Sequence, residues 1–402
     1  MDFKLGHYPT SSQVATPQVS SAKIAAMRTL SRRSFLRTVS AATLAAAASR
    51  SFGAEQRQRV FVASNTPQGI RAFDWDSATG ELSYAGVAAV IDNVDWITFS
   101  PDRKYIFAAA EVDSFNGKPT GEVASYAYSG GKITQLSTQN SAAKGTCWIS
   151  VDHTGRVAIS ADYGGGSAAS FKITDGRLSE AVWKHHYTHH GPNPKRQESA
   201  HAHFAAFSPD NRFAYVNDLG GDCIHIYKLN SETAELTPAG EWHSEPGFGP
   251  RTLRFHPNGT TAYCMNEMAA TVSVLHWNKA TGGFTTVSQF PLRPNPAKAP
   301  NTGCDTVITR DGRFVYFACR GDDFILTCKA DPKTGALTRM GKIPSGGTTP
   351  RNFTLDPTER WMLVANQDSS NLSVFKRNTH TGELSSEGKS YKCPTPMCIL
   401  FA

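Results

Sequence analysis

Short apolar runs separated by polar turns fill most of the chain. Before Asp102, residues 96–99 read Trp-Ile-Thr-Phe, and after it residues 105–107 read Tyr-Ile-Phe. Apolar runs of this length on both sides of a Pro-Asp turn predict a strand, a tight turn and a second strand. Similar runs surround six turn positions, which are Asp102, Thr154, Asp210, Asn258, Asp311 and Thr358.

A second turn signature is repeated seven times. Its marker residues are Gly80, Gly131, Gly176, Ala234, Gly282, Gly335 and Gly382, at steps of 45 to 58 residues. Glycine at such positions permits the positive φ that a tight hairpin requires. A period near 50 residues in a strand-rich chain predicts an all-β fold, a seven-bladed β-propeller with one blade per repeat.

The first turn signature occurs six times and the second seven times. We interpret the missing turn as the place where the two ends of the chain meet and close the ring. The missing turn is replaced by the chain ends, with a strand in residues 393–402 beside the strand that starts near residues 59–62. Such pairing of the N- and C-terminal strands leaves no long open sheet edge. We therefore expect residues 55–402 to form the propeller and residues 1–54 to lie outside it.

Residues 1–54 have the features of an export leader. Residues 31–37 resemble a twin-arginine motif, and an Ala-rich, weakly apolar stretch follows at residues 39–48. Small residues offer cleavage after Ala48 or Ala54, and a start at Met27 would give a leader of ordinary length. The stretch is too short to span a membrane. We expect a periplasmic or secreted protein that engages the twin-arginine translocation machinery and has no membrane contact in its mature form.

Most of the positive net charge of the chain lies in this leader. The formal net charge is +7, and residues 1–54 hold seven Lys or Arg and one acidic residue, a net of +6, so the remainder carries 7 − 6 = +1. A nearly neutral domain has no electrostatic basis for binding nucleic acid or membranes. The eight cysteines lack Cys-x-x-Cys spacing, which argues against a structural zinc site. We expect the cysteines to be small residues within strands, with a Cys319–Cys328 disulfide as an open alternative. We also expect the protein to be a monomer.

Polar residues recur at fixed distances from the first set of turns. Seven residues before the turns lie Asp95, Cys147, His203, Arg251, Cys304 and Arg351, and nine residues after them lie Glu111, Tyr163, Leu219, Glu267, Arg320 and Gln367. The two strands of a hairpin run in opposite directions, so both sets should lie side by side at its open end. The spacing therefore predicts a ring around one mouth of the propeller. Its three arginines require an anion or carboxylates for balance.

The longest step contains a histidine-rich insertion. Residues 185–203 include six histidines, but none has the His-Glu-x-x-His arrangement of a helical metal site. His201 and His203 alternate along a predicted strand and so face the same side. We interpret the insertion as a loop that covers the mouth, with His203 in the ring and His201 or Gln197 beside it. No metal ion and no other cofactor are expected.

Longer stretches resemble a known enzyme family. They are residues 193–197, 201–203, 216–220, 249–251, 255–257, 266–267, 320–321, 350–353 and 365–368. These stretches are similar to the seven-bladed lactonase propellers of the 6-phosphogluconolactonase/carboxymuconate-cyclase family, over nearly the whole of residues 55–402. The resemblance implies a catalytic set of His203, Arg251, Glu267 and Arg320. All four belong to the ring that the spacing defines.

The resemblance also implies that the substrate is a small-molecule lactone opened by water. Such hydrolysis needs a base and a group that stabilises the oxyanion. We expect Glu267 or His203 to be the base, and the arginines of the catalytic set to hold the oxyanion or a substrate carboxylate. Further substrate contacts are expected from Glu111, Arg196, Gln197, His201, Asp218, Arg351 and Gln367.

Three positions depart from the family pattern. Thr252 and Val307 stand where the family usually has histidine, and Cys319 stands where it usually has asparagine. These departures leave the identity of the lactone open. For an exported protein we expect unphosphorylated aldonolactones or other lactone acids, with 6-phosphogluconolactone as an open alternative. Two alternatives also stay open, a non-catalytic propeller that binds a ligand or a protein, and a muconate-type lactonising cyclase.

Overall fold

The computed structural model describes residues 58–293 and 302–402. The predicted leader, residues 1–54, lies outside these ranges, and its role stays a prediction. Among the described residues, no helix has the length and apolar character needed to cross a lipid bilayer.

In the described ranges the chain forms 28 short strands, which follow the alternating apolar runs of the sequence. In chain order they are β1 Gln58–Ser64, β2 Ile70–Asp76, β3 Glu81–Ala89, β4 Val94–Phe99, β5 Tyr105–Ala110, β6 Glu122–Ser129, β7 Lys132–Asn140, β8 Thr146–Val151, β9 Val157–Asp162, β10 Ser167–Thr174, β11 Arg177–His186, β12 Ala202–Phe207, β13 Phe213–Asp218, β14 Cys223–Leu229, β15 Leu236–His243, β16 Pro250–Phe255, β17 Thr261–Asn266, β18 Thr271–Trp277, β19 Phe284–Pro291, β20 Thr302–Ile308, β21 Phe314–Arg320, β22 Phe324–Ala330, β23 Leu337–Pro344, β24 Pro350–Leu355, β25 Trp361–Asn366, β26 Asn371–Arg377, β27 Leu384–Lys392 and β28 Pro396–Phe401.

Within the same two ranges these strands assemble into seven sheets of four strands each. Blade 1 contains β28, β1, β2 and β3, and blades 2 to 7 each take four consecutive strands, from β4–β7 to β24–β27. The strand that leads each blade is innermost, and these inner strands contact one another in turn around a closed ring. The predicted all-β, seven-bladed β-propeller is therefore confirmed.

The chain ends close the ring, as the sequence predicts. β28 pairs with β1 in antiparallel register, with Phe401 opposite Val60. The Ala402 amide extends this pairing by donating to the Arg59 carbonyl at 2.8 Å. Arg103, from blade 2, donates to the Phe401 carbonyl at 2.6 Å. The inner strand of blade 1 is therefore held both within its own sheet and by the next blade.

The seven outer turns pack each blade against its neighbour. All seven marker residues have positive φ, from 68° at Ala234 to 78° at Gly131. At Gly282 a Cβ would lie only 2.5 Å from the ring of Phe213 in blade 4. Tyr215, two residues further along the same strand, donates its hydroxyl to the Gly282 carbonyl at 3.0 Å. Glycine is thus required at this turn for backbone conformation and for close contact with the neighbouring blade.

The hydrogen bond from a blade to its neighbour's outer turn recurs at three further turns, those of Ala234, Gly335 and Gly382. Tyr316 donates to the Gly382 carbonyl at 2.7 Å. In blade 3, β9 carries Ile159 at the equivalent position, and Ser170 on the adjacent strand donates to the Ala234 carbonyl at 2.5 Å. In blade 3 the bond between blades is therefore kept without the tyrosine, by a residue that the repeat pattern does not mark.

The cysteines pack as small buried residues. All eight lie in the described part of the chain, and all are buried free thiols. The pairing of β21 with β22 places Cys319 opposite Phe324 and Cys328 opposite Val315. The alternative of a Cys319–Cys328 bridge is therefore not realised, because the two side chains do not face each other across the strands.

We predict that Gly282→Ala destabilises the propeller far more than Gly259→Ala. Both glycines have similar φ, 76° and 73°, but no atom lies within 4 Å of a Cβ built at Gly259. The Gly259 variant should lose about 1 kcal/mol from the backbone conformation alone. The Gly282 variant should lose roughly 1–3 kcal/mol more, because its methyl group must displace the Phe213 ring.

Equilibrium unfolding of the two purified variants in guanidinium measures this difference. Equal losses of unfolding free energy would show that the contact with Phe213 does not constrain the turn.

Candidate active site

A polar cavity of about 500 Å³ lies at one mouth of the propeller. Every blade contributes to its wall, as does the loop between blades 3 and 4. The structure brings together nine of the twelve residues in the ring that the sequence spacing defines. These nine are Glu111, Cys147, Tyr163, His203, Arg251, Glu267, Arg320, Arg351 and Gln367.

Inner strands of blades 2 to 7 have β-bulges near their beginnings. In β12, pairing with β13 passes from Ala202 to Phe204 and leaves His203 out of the ladder. Arg251 is passed over in the same way in β16, and Arg351 in β24. A bulge adds one unpaired residue and changes the direction of its side chain. The bulges therefore present these side chains to the cavity, a feature that equal spacing alone does not reveal.

Most ring residues of the second set, those nine positions after the turns, come directly after the second strand of each blade. Glu111 follows β5, Tyr163 follows β9, and Glu267 follows β17. The Glu267 amide donates to the Gly249 carbonyl at 2.8 Å. Gly249 is two residues before Arg251, so this bond holds the two halves of the hairpin mouth together. The same bond occurs at five other blades, which explains why the two sets of ring residues share one level.

Blade 1 supplies two ring members that the sequence analysis missed. Met397 is passed over where β28 pairs with β1, and Asn65 follows β1 directly. Both residues line the cavity. They occupy the positions that His203 and Glu267 hold in other blades, so extending the spacing rule across the ring closure would have found them.

Glu267 is the centre of the charge cluster in the cavity. Its Oε1 accepts from Arg196 at 2.6 Å, and its Oε2 lies 3.0 Å from Arg320 Nη2 and also accepts from Arg251. The side chain is only 2% exposed. Burial alone would raise the pKa of Glu267, but the charges of Arg320 and Arg251 outweigh burial and hold this pKa well below its usual range. Glu267 is therefore a carboxylate whose two oxygens are both occupied by arginines.

His203 is buried beside the same cluster and is neutral. Its Nε2 lies 3.8 Å from Glu267 and contacts Arg251 Nη1. Burial and the charge of Arg251 lower the pKa of His203 well below its usual value. With the arginine donating, Nε2 is an acceptor and the ring proton is on Nδ1, 3.7 Å from Cys147 Sγ. The lone pair that a general base would use is thus directed at an arginine.

Glu111 differs from the other carboxylates of the cavity. Its side chain makes no hydrogen bond or ion pair with any described residue, whereas Asp95 contacts Arg351 Nη2 through both oxygens at 3.2 Å. Burial and the charge of Asp95 raise the pKa of Glu111 to about 7, against the opposing charges of Arg351 and Arg251. Glu111 is therefore the cavity carboxylate that can take up or release a proton near neutral pH.

The cavity keeps a positive charge in either state of Glu111. Four arginines line it, and the carboxylates are Glu111, Glu267 and the adjacent Asp95, which gives 4 − 3 = +1, or +2 with Glu111 protonated. Charge in a buried site interacts strongly because screening by water is weak there. The cavity can therefore stabilise an anion or a developing oxyanion.

Three expected substrate contacts stand apart from the cavity. Gln197 donates to a backbone carbonyl of blade 4 at 2.9 Å, His201 stacks on Tyr163 with ring centroids 4.4 Å apart, and Asp218 accepts from the His201 amide at 2.7 Å. None of the three is part of the cavity wall in the described ranges. They hold the loop that carries Arg196, whose guanidinium does reach the cavity.

Three ring members do not line the cavity. One is Leu219, which is fully buried and whose amide donates to the His201 carbonyl at 2.9 Å. The other two, and the departures from the family pattern, have distinct positions. Asp95 and Cys304 line a narrower second cavity that shares His203 and Arg251 with the first, and Thr252 lines it too. Val307 lines a separate surface pocket, and Cys319 lies in a buried apolar cluster with Phe317. Of the three departures, only Thr252 therefore borders the candidate site.

Comparison with known proteins identifies the family. The family model described as lactonase, seven-bladed β-propeller, matches residues 59–401. The 6-phosphogluconolactonase of Bacillus subtilis is 31% identical over 337 residues, covering 83% of this chain and 94% of that protein. A 6-phosphogluconolactonase of Formosa agariphila is 29% identical, covering 81% of this chain and 94% of that protein.

A solved structure supports the same assignment. The periplasmic gluconolactonase of Pseudomonas aeruginosa has a TM-score of 0.80 and 29% sequence identity, and the match covers 86% of this chain and 98% of that one. Because the family model spans almost all of residues 58–402, the match includes every blade. The chain belongs to the lactonase family of seven-bladed β-propellers.

Proposed function

We propose that this protein is an exported lactonase that hydrolyses a sugar lactone in the central cavity. Family membership supports the reaction class, and the arginine-lined cavity supplies a place for the charge that forms on the carbonyl oxygen. The single observation that carries the proposal is the Glu111 carboxylate at the same cavity wall, which has no hydrogen-bond or ion-pair partner among the described residues. A base and an oxyanion stabiliser are the two groups that this hydrolysis needs.

The roles differ from those that the sequence alone suggests. Glu267 and His203 are the expected bases, but both are directed at arginines. In this proposal Glu267 neutralises and orients Arg251 and Arg320, and His203 supports Arg251. These contacts fix the guanidinium groups before the substrate arrives, so little reorganisation is needed during the reaction. Glu111 takes the role of general base.

The proposed reaction adds one water molecule and breaks one ring bond. Glu111 accepts a proton from water as the water oxygen bonds to the lactone carbonyl carbon. The carbonyl electron pair moves to its oxygen, which Arg251 and Arg320 stabilise. When the carbonyl re-forms, the bond to the ring oxygen breaks, and that oxygen takes the proton back from Glu111. The product is a hydroxy acid that ionises to its carboxylate.

Polar, uncharged residues at the cavity wall suit a sugar lactone. Gln367, Thr302, Thr349 and Asn65 line the cavity together with Tyr163. Amide and hydroxyl groups both donate and accept, so they match the several hydroxyls of an aldonolactone. The net positive charge also attracts the acid product, which must then leave against that attraction.

Export determines which lactone the protein meets. The twin-arginine motif at residues 31–37 and the periplasmic location of the Pseudomonas aeruginosa relative both favour a periplasmic or secreted protein. Sugar phosphates are cytoplasmic metabolites, so we propose unphosphorylated aldonolactones as substrates. In this proposal residues 1–54 form the leader and residues 55–402 the mature enzyme.

We predict that Arg251→Ala lowers kcat for glucono-1,5-lactone by about 100-fold or more, because the variant loses an oxyanion donor. The matched control is Arg377→Ala. Arg377 is equally buried, and its Nε donates to the Tyr316 hydroxyl at 2.6 Å, but it does not line the cavity. The control should lose stability and keep its kcat.

The measurement is a pH-drop assay of the mature protein, with spontaneous hydrolysis subtracted. Glucono-1,5-lactone, its 6-phosphate and a muconolactone are compared at equal concentration. Absence of turnover on all three by the folded wild-type protein would refute the lactonase proposal and favour a binding module.

We predict a second effect, in the pH dependence of turnover. Because the ionised form of Glu111 is the base and its pKa is raised to about 7, kcat/KM should rise as pH increases through about 7 and level off above it. Glu111→Gln should remove this inflection and lower kcat/KM by roughly 100-fold.

Glu122→Gln is the matched control for the pH profile. Burial and the charge of Asp92 also raise the pKa of Glu122 to about 7, but Glu122 lies away from the cavity wall. This control should retain the wild-type inflection. An inflection that persists in Glu111→Gln would assign the base to another group.

A further inference from the structure

A cluster of four potential metal ligands lies on blade 4, outside the cavity. We propose that His189, Asp218, Cys223 and His225 bind a divalent cation of the zinc class. One ligand atom from each of these residues lies within 4.8 Å of the others. Asp218, Cys223 and His225 are buried, and His189 is half-buried at the surface side.

The distances within the cluster suit a tetrahedral ion. Cys223 Sγ lies 3.5 Å from His225 Nε2, and His225 Nε2 lies 3.7 Å from Asp218 Oδ2. Zinc bonds of about 2.0–2.3 Å at tetrahedral angles place neighbouring ligand atoms about 3.4–3.6 Å apart. The Cys223, His225 and Asp218 ligand atoms therefore need to move by only tenths of an ångström to reach the spacing of a zinc site.

Asp218 has an oxygen without a partner. The residue is fully buried, and its Oδ1 accepts from the amides of His201 and Gly221 at 2.7 and 3.0 Å. Its Oδ2 is buried, makes no hydrogen bond with any described residue, and points toward His225. A buried carboxylate oxygen without a donor is costly. A bound cation would satisfy it.

The histidines are already oriented as ligands. His225 Nδ1 donates to Glu241 Oε1 at 2.9 Å, which leaves Nε2 free to coordinate. A carboxylate behind a histidine is the usual way in which proteins fix the tautomer of a metal ligand. The ring of Tyr187 stacks on His225 with centroids 4.0 Å apart. His189 Nδ1 is buried and makes no hydrogen bond with the described residues.

The ligand types indicate the metal. One thiolate, two imidazoles and one carboxylate form a mixed sulfur, nitrogen and oxygen set that zinc accepts, whereas calcium and magnesium prefer oxygen alone. Four protein ligands would fill a tetrahedral shell, so no position is left for water or substrate. The site is therefore structural rather than catalytic.

The position of the site gives the ion a specific role. His189 belongs to the loop between blades 3 and 4, and the other three ligands belong to β13 and β14 or border them. The same loop carries Arg196, which holds Glu267 at 2.6 Å. An ion at this point would fasten the loop to blade 4 and so keep Arg196 at the mouth of the cavity.

Metal binding by the mature protein tests this proposal directly, without an activity readout. After treatment with a chelator, the protein is titrated with Zn²⁺ against a chromophoric competitor and, separately, with Co²⁺. We expect one Zn²⁺ per chain, a rise in Tm on binding, and a thiolate-to-cobalt charge-transfer band in the near ultraviolet. Cys223→Ser should abolish the band and weaken Zn²⁺ binding by more than about 100-fold. Loss of a residue that only hydrogen-bonds to a ligand already lowers metal affinity by about 10- to 100-fold, and loss of a ligand itself should lower it further.

Three further variants make the outcome decisive. Cys264→Ser removes an equally buried thiol elsewhere and should leave binding unchanged. Asp218→Asn should weaken binding even if Cys223→Ser does not fold. Cys223, Glu241 and His243 form a second, more exposed group, so His243→Ala should have no effect. Absence of Zn²⁺ binding by the wild type, wild-type affinity in Asp218→Asn, or loss of binding in His243→Ala would each overturn the proposal.

Discussion

The buried Glu267 carboxylate is the interaction on which the centre of this propeller depends. Arginines reach it from blade 5, from blade 6 and from the loop between blades 3 and 4, and His203 reaches it from blade 4. Positive charges this close repel one another strongly where screening by water is weak, and the carboxylate offsets that repulsion. Elements that are far apart in sequence are therefore held at one point by charge, while the blades themselves are held by apolar packing.

This arrangement separates two tasks that a carboxylate can perform. Glu267 is fixed by its partners and stays ionised, whereas Glu111 has no partner within residues 58–293 and 302–402 and has a pKa raised to about 7. Environments that shift the pKa values of two carboxylates in opposite directions are characteristic of acid-base sites. The bulges at His203 and Arg251 add geometry to this electrostatic division, because they direct side chains out of the sheet ladder and into one space.

Much of the fold was predictable because its signals are local. The turn at Gly282 and the apolar runs around Asp102 each need only a few neighbouring residues, and their spacing alone gave the ring that includes Arg251. The exchange of roles between Glu267 and Glu111 was not predictable, because it depends on which arginines each carboxylate meets in three dimensions.

The cluster on blade 4 shows a similar limit. Cys223 and His225 alternate on one strand, so their common face could be inferred from sequence. His189 and Asp218 join them only through the fold of the loop and through the adjacent strand. The spacing of histidines within the insertion cannot show that one of them, His189, meets potential ligands from blade 4.

The pairing of β28 with β1 has a consequence for the growing chain. The two strands flank the whole propeller in sequence, so blade 1 lacks its inner strand until all other blades have been synthesised. During that time β1 presents an unpaired edge, which is the kind of surface that recruits strands from other molecules. Pairing with β28 removes that edge, so the last strand to be synthesised is also the one that covers the first.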